Sequence, residues 1–255
     1  MEESQKQPKR YVVVSSNNNP DYYFYLPYIE KAWNSYGWDV CVMITDDVDV
    51  HNITKSNENT IIVQLPFVPG LRPETIAQAG RLYAANYLPM DAIIMTSDID
   101  LLPLQNYWNP NINEITVYGH DLTWHSFYPM GYIAMSGANW KKYMDLHFDT
   151  KGEIYRDAVK TGLPFANDWE QWWNHDWTHI TNVLKPHKDL ITFIDRGQIN
   201  IAGATLAKGR VDRYNWYETM NQPNWIDAHC ENNNVQHPDK LGKFLEVYEK
   251  FYGKL

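Results

Sequence analysis

The chain has little that would staple it, anchor it in lipid or draw it to nucleic acid. Only two cysteines occur in 255 residues, Cys41 and Cys230. A pair so far apart makes no disulfide framework, so a reducing compartment is expected. Cys41 lies inside the apolar run "DVCVMIT" and reads as a small buried hydrophobe. No apolar run approaches the roughly 20 residues that a spanning helix needs. The start, "MEESQKQPKR", is polar and lacks a signal-peptide core. The expectation is a soluble, cytoplasmic protein, in which the formal sequon Asn52-Ile53-Thr54 is a chance match. Basic residues are outnumbered, 22 Lys and Arg against 31 Asp and Glu, for a net charge of −9. That balance argues against nucleic acid, which calls for Lys and Arg clustered on one face.

Several catalytic signatures are missing as well. No G-x-G-x-x-G follows the first apolar run, and no G-x-x-x-x-G-K-[ST] occurs. No G-x-S-x-G elbow, H-E-x-x-H or C-x-x-C spacing is present. A phosphorylated ligand would therefore need its charge met by other means, and a divalent cation is one. Aromatics are abundant instead: 11 Trp and 18 Tyr, dense in "NDWEQWWNHDW". Rings among polar groups suit sugar faces or protein partners, while rings in a core fill volume; both readings stay open.

Along the chain, residues 1–10 read as a frayed tail and 11–255 as a single domain, with no repeat or linker to divide it. "RYVVVSS", "WDVCVMI", "TIIVQL" and "DAIIMTS" are short and β-rich, and read as strands. Between them, apolar residues at helical spacing (Phe24, Leu26, Ile29, Trp33) predict a helix over 22–36. Pro73 suits the first turn of a second helix, which runs to about residue 88. The alternation predicts an α/β fold with a mostly parallel central sheet flanked by helices. Ligands of such sheets sit outside the carboxyl ends of the strands. Ser15, Ser16, Asp46, Asp47, Asp98 and Asp100 all occupy those ends, so they are expected to converge on one crevice. The second half reads as shorter strands and helices, closing with an amphipathic helix in "PDKLGKFLEVYEKFYGKL".

The stretch "DAIIMTSDIDLLPL" places Ser97-Asp98-Ile99-Asp100 between two apolar runs. Carboxylates there are either solvated or held by a cation. Two of them at a strand end can hold Mg²⁺ or Mn²⁺, with phosphate oxygens completing the shell. The metal would act as a Lewis acid on a diphosphate leaving group.

The segment "AIIMTSDIDLLPL", with the upstream helix "ETIAQAGRLYAANYLPMD", resembles the D-x-D region of nucleotide-sugar glycosyltransferases of the GT-A fold. In detail the chain looks most like the small stand-alone glycosyltransferase domains of large algal viruses and some bacteria. The later "YPMGYIAMSGANW" and "NHDWTHITNVL" are similar to that family's acceptor-side strand and acid-bearing helix. The resemblance implies a Rossmann-type sheet with a smaller acceptor-side sheet. The donor, a UDP- or GDP-linked sugar, would bind residues 11–105, and a glycan acceptor would bind 106–255.

It also implies roles. Asp98 and Asp100 would hold Mn²⁺ or Mg²⁺, with His229 as third ligand and His237 as the alternative. Ser15, Ser16, Asp46, Asp47, Arg72, Gln78, Arg81, Ser97, Asp98 and Lys240 would meet the donor. If the reaction inverts, a carboxylate must take the acceptor's proton. The candidates are Asp176, then Asp168, then Glu170, although helix capping alone also explains Asp176. Trp169, Trp172, Trp173, Trp177 and Tyr128 would line the acceptor side. His175 and His179 share one helical face without an obvious third ligand, and read as polar surface or acceptor-site residues. Two other functions fit parts of the sequence. A sugar nucleotidyltransferase would show a basic, glycine-rich loop, which "VVVSSNNNP" is not. A non-catalytic carbohydrate-binding protein would use the Trp residues and need no D-x-D.

Overall fold

The computed structural model describes residues 7–49, 53, 57–122, 127–163, 169–231 and 237–254. The first apolar run forms strand Arg10–Ser16 (β1). It reaches into the expected tail: the Ile93 N–H donates to the Lys9 carbonyl at 2.8 Å. Asn19 caps a short helix, Pro20–Tyr23 (α1), by accepting from the Asp21 N–H at 3.0 Å. A second helix, Leu26–Ser35 (α2), follows directly. The single helix expected here is two because Pro27 has no N–H to continue the ladder. Gly37, at φ +77°, ends α2 in the left-handed conformation that glycine adopts without strain.

Strands Asp39–Ile44 (β2) and Ile61–Gln64 (β3) come next. Pro73 opens helix Pro73–Gly80 (α3), and the chain then tightens into a 3₁₀ turn over Arg81–Asn86. Strands Ile93–Thr96 (β4), Leu101–Pro103 (β5), Ile115–Tyr118 (β6) and Ile133–Ser136 (β7) follow. Helices Gly137–Met144 (α4), Thr150–Lys160 (α5), Trp169–Trp173 (α6) and His175–Leu184 (α7) make up the next stretch. Strands Ile191–Ile194 (β8), Gln198–Ile201 (β9), Ala204–Ala207 (β10) and Arg210–Val211 (β11) precede helix Trp216–Met220 (α8). Strand Asp227–His229 (β12) and helix Pro238–Tyr252 (α9) close the fold.

The main sheet has the order β3-β2-β1-β4-β7-β6-β8. Its first four strands are parallel, and β7 runs antiparallel to both neighbours. Alternate residues feed two cores. Val13, Cys41 and Met43 pack on one face, and Val12, Val14, Val40 and Val42 on the other. Burial on both faces is why these strands read as unbroken apolar runs. A second sheet, β11-β12-β5, is small, and β9 and β10 pair with each other. The mostly parallel sheet with helices and a smaller sheet agrees with the fold expected from sequence.

Most of the tryptophan turns out to be core. Trp33, Trp38, Trp108, Trp140, Trp172, Trp216 and Trp225 are buried, seven of the 11. Among the described residues no helix is long and apolar enough to cross a membrane.

Candidate active site

Strand order reverses at β1. Its neighbours are β2 on one side and β4 on the other, so the connections diverge and leave a crevice beyond its carboxyl end. A cavity of about 380 Å³ lies there, within the range of small-ligand sites. Ser15 and Ser16 line it from the end of β1, and Asp98, Ile99 and Asp100 from the bend after β4. Helix α3 and its 3₁₀ extension supply Gln78 and Arg81. Helix α7 supplies Asp176 and Trp177, and Trp173 adds an exposed ring.

The far wall comes from the small sheet. The chain leaves β4, bends at Asp98 (Leu101 N–H to Asp98 O, 3.1 Å) and enters β5. Strand β5 pairs antiparallel with β12 in a register that sets Leu101 opposite His229. The Cys230 N–H donates to the Asp100 carbonyl at 2.8 Å, continuing that pairing. His229 Nε2 thereby comes to 3.9 Å from Asp100 Oδ2. Gly131 gives the bend room, since a Cβ there would stand 3.1 Å from Leu101 Cδ1 and 3.5 Å from Asp98 Oδ2.

Two guanidiniums pair with three carboxylates. Arg81, 4% exposed, donates to the Ser97 carbonyl at 3.0 Å, to Asp98, and to Asp176 Oδ2 at 2.7 Å. The other Asp176 oxygen accepts from the Trp177 N–H at 2.8 Å. Burial pushes the Asp176 carboxyl up to about 6, against the pull of Arg81. Burial also pushes Asp100 up to about 6, opposed first by Arg213. Arg213 Nη2 lies 3.1 Å from Asp100 Oδ2, and the guanidinium also contacts the His229 ring. Burial, then the Arg213 charge, holds His229 well below the usual imidazole range, so it stays neutral near pH 7.

The donors of Asp98, Asp100 and His229 fit a divalent cation by chemistry: carboxylate oxygens and a neutral imidazole nitrogen. Among the described residues, no three His, Cys, Asp or Glu side chains are yet gathered around one point to hold it. The Arg213 guanidinium lies between Asp100 and His229.

No protein-family model matches the chain, and neither does any curated protein sequence. Solved structures do. The galactosyltransferase LgtC, in complex with donor and acceptor sugar analogues, superposes with a TM-score of 0.51 at 12% identity, over 94% of this chain and 96% of that one. The glycosyltransferase GlyE of Streptococcus pneumoniae TIGR4 gives 0.53 at 10% identity, over 96% of this chain and 64% of that one. The fold is that of the GT-A glycosyltransferases.

On this GT-A frame the expected residues divide. Ser15, Ser16, Gln78, Arg81, Asp98, Asp100, Asp176, His229, Trp173 and Trp177 line the cavity together. Ser97 lies buried behind it and offers its carbonyl to Arg81. Asp46 and Asp47 do not converge on the crevice as expected. The Asp47 carboxylate is taken by the Thr45 hydroxyl and by the Asn18 N–H at 3.4 Å, which closes a local turn. Asp46 lines a separate open groove with Gln64, Tyr87 and Phe148.

Arg72 stacks its guanidinium on Trp172, 5.1 Å from the ring centroid, and Trp172 is buried. Lys240 is paired to Glu231 at 3.1 Å. Tyr128 is core, packed on His120 and Phe193, with its N–H held by Thr181. Glu170 sits exposed on α6, away from the cavity lining. His237 stands at the N-cap position of α9 and is exposed, so of the two histidines it is His229 that adjoins Asp100. Asp168 and the Trp169 side chain lie outside the described residues.

His175 and His179, read as polar surface or acceptor-site residues, are buried and do not line the cavity. They stack on each other; His175 Nδ1 bonds the Thr161 hydroxyl at 3.0 Å, and His179 Nε2 lies 3.3 Å from Asp157 Oδ2. Sequence reading missed Arg213, Tyr22 and Tyr214, all of which line the cavity. Nothing in "GRVDRYNW" marks Arg213, because only the β5–β12 register carries it to Asp100.

Proposed function

We propose that the protein is a metal-dependent glycosyltransferase that moves a hexosyl or pentosyl group from a UDP- or GDP-linked sugar to a hydroxyl of a glycan. The observation that carries this reading is the placement of Asp98 and Asp100 at the switch point of a GT-A fold, with His229 beside Asp100. Asp98, Asp100 and His229 would hold Mn²⁺ or Mg²⁺. When bound, the ion supplies Lewis acidity to the diphosphate leaving group. Ser15, Ser16 and Gln78 offer hydrogen bonds to the donor from the walls beside it.

Arg81 fixes Asp98 and Asp176 relative to each other, so the metal side and the sugar side of the site move as one unit. Asp176 takes the acceptor proton in an inverting displacement. A carboxyl held at about 6 is ionised at pH 7 and close to the operating pH, as a general base should be. Trp173 and Trp177 wall the acceptor side and exclude water. A purely carbohydrate-binding protein fits less well, since most tryptophans are committed to the core.

Calorimetry with UDP and GDP, each with and without Mn²⁺, tests the reading. Metal-dependent nucleotide binding is expected, and Asp100→Ala should abolish it. No nucleotide binding under any condition sinks the transferase. With a turned-over donor, proton NMR of the product reads the anomeric configuration. Retention would remove Asp176 as base and leave it the anchor of Arg81.

A further inference from the structure

We infer that Arg213 is a built-in counter-cation: it occupies the place of the divalent ion at Asp100 and His229, yields it when the ion arrives, and moves onto the donor diphosphate. The inference rests on the metal-dependent reading above and adds a residue to it.

Both sides of that place are taken by one guanidinium. Arg213 Nη2 is 3.1 Å from Asp100 Oδ2, its Nε is 3.3 Å from His229 Nδ1, and Nη2 also contacts His229 Nε2. A cation bound to both Asp100 and His229 would sit about 2.0–2.3 Å from each donor atom. That volume holds guanidinium nitrogen, and two positive charges repel strongly at such range. Arg213 and a metal therefore exclude each other.

The two arginines of the cavity differ in exposure. Arg81 is 4% exposed and is held by the Ser97 carbonyl, Asp98 and Asp176. Arg213 has a side chain 15% exposed, at the rim beside Tyr214, which is 83% exposed. The backbone around it is anchored: the Asp212 N–H donates to Thr219 Oγ1 at 3.0 Å, and the Tyr214 N–H to Asp212 Oδ1 at 2.9 Å. Displacement of Arg213 is thus a rotamer change that leaves the chain in place. A diphosphate held by the metal is a natural new partner, because a guanidinium meets phosphate oxygens in a bidentate fork. Metal and nucleotide binding become coupled: each removes part of the cost of moving Arg213 for the other.

Electron paramagnetic resonance of free Mn²⁺ measures the exchange without any turnover. Wild type, Arg213→Met and Arg213→Gln are titrated with Mn²⁺ alone, then with UDP or GDP present, after circular dichroism confirms folding. The neutral variants should bind Mn²⁺ alone on the order of tenfold more tightly than wild type. At saturating Mn²⁺ they should bind the nucleoside diphosphate about tenfold more weakly. Equal or weaker Mn²⁺ affinity in both folded variants overturns the inference and leaves the proposed function standing. Tighter Mn²⁺ binding with unchanged nucleotide affinity overturns the transfer to diphosphate. Absence of Mn²⁺ binding in every protein, even with nucleotide, overturns both the inference and the metal-dependent reading.

Discussion

Asp227 carries a prediction that reaches from stability to the site. Its side chain is fully buried and accepts four N–H bonds: from Arg196 at 2.6 and 2.9 Å, and from Arg210 at 2.9 and 2.8 Å. Burial pushes its carboxyl up, but the two arginines outweigh burial and hold it well below the usual carboxylate range. Asp227→Asn keeps the volume and removes the charge. It also turns an NH₂ group toward guanidinium donors, so two of the four bonds are lost. Breaking a buried ion pair by neutralising one partner costs about 3–5 kcal/mol. Two stranded guanidiniums place this variant near about 4 kcal/mol, with Arg210, the more exposed of the two, softening the cost. For a chain of this size that is a fall in Tm of about 12 °C. The comparator is Asp195→Asn, at an exposed acid next to Arg196, which should change stability by less than about 0.5 kcal/mol. Urea denaturation and thermal melts at pH 7 measure both. Hydrogen exchange locates the loss: amides of β5 and β12 should exchange faster while those of β1 keep their protection. A loss under about 1 kcal/mol, or equal loosening of β1, refutes the view that this cluster holds the small sheet and with it His229.

Three further outcomes follow from the geometry. Arg81→Met strands Asp176 and Asp98 in the cavity wall and should cost about 3 kcal/mol at pH 7. Arg81 pulls the Asp176 carboxyl down, so its removal lifts that group above about 6; the penalty should shrink as pH falls toward about 6 and level off below it, which paired melts at pH 8 and pH 6 would show. His175 is held at about 4 by burial and by His179, against an ordinary 6.5. The unfolded chain therefore binds the proton first, and stability falls as pH drops from 6.5 toward 4, by about 3 kcal/mol in all at 1.36 kcal/mol per pH unit. His175→Gln should flatten that part of the stability–pH curve. Trp172→Ala empties a core position and should cost about 3–5 kcal/mol. Trp173→Ala, at a ring 43% exposed in the cavity wall, should leave stability within about 1 kcal/mol while raising the acceptor KM.

Much of the fold was legible because β1, β2 and β4 are buried on both faces, so Val12 and Val13 are apolar alike and the strands stand out as unbroken runs. The strand-end position of Asp98 and Asp100 was legible for the same reason: acids just after "AIIMTS" mark where the buried strand stops. The strand-end rule then overreached. It places a residue at the correct edge of the sheet but does not say on which side of the edge the side chain falls, and so it gathered Asp46 and Asp47 with Asp98. The aromatic cluster in "NDWEQWWNHDW" was ambiguous because rings near polar residues in sequence can still point inward, as Trp172 does. Arg213 was out of reach. It lies over a hundred residues from Asp100, in a segment without periodicity, and the pairing that joins them is two short strands long.

That long-range pairing has a consequence for how the molecule is made. Synthesis delivers Asp98 and Asp100 well before Arg213 and His229. An emerging chain can pair β3 with β2, β2 with β1 and β1 with β4, yet β4 lacks its outer neighbour β7 until residue 136 is out. An open strand edge recruits other chains unless charge discourages it. The cavity is complete only when the last strand, β12, docks on β5 and brings His229 beside Asp100.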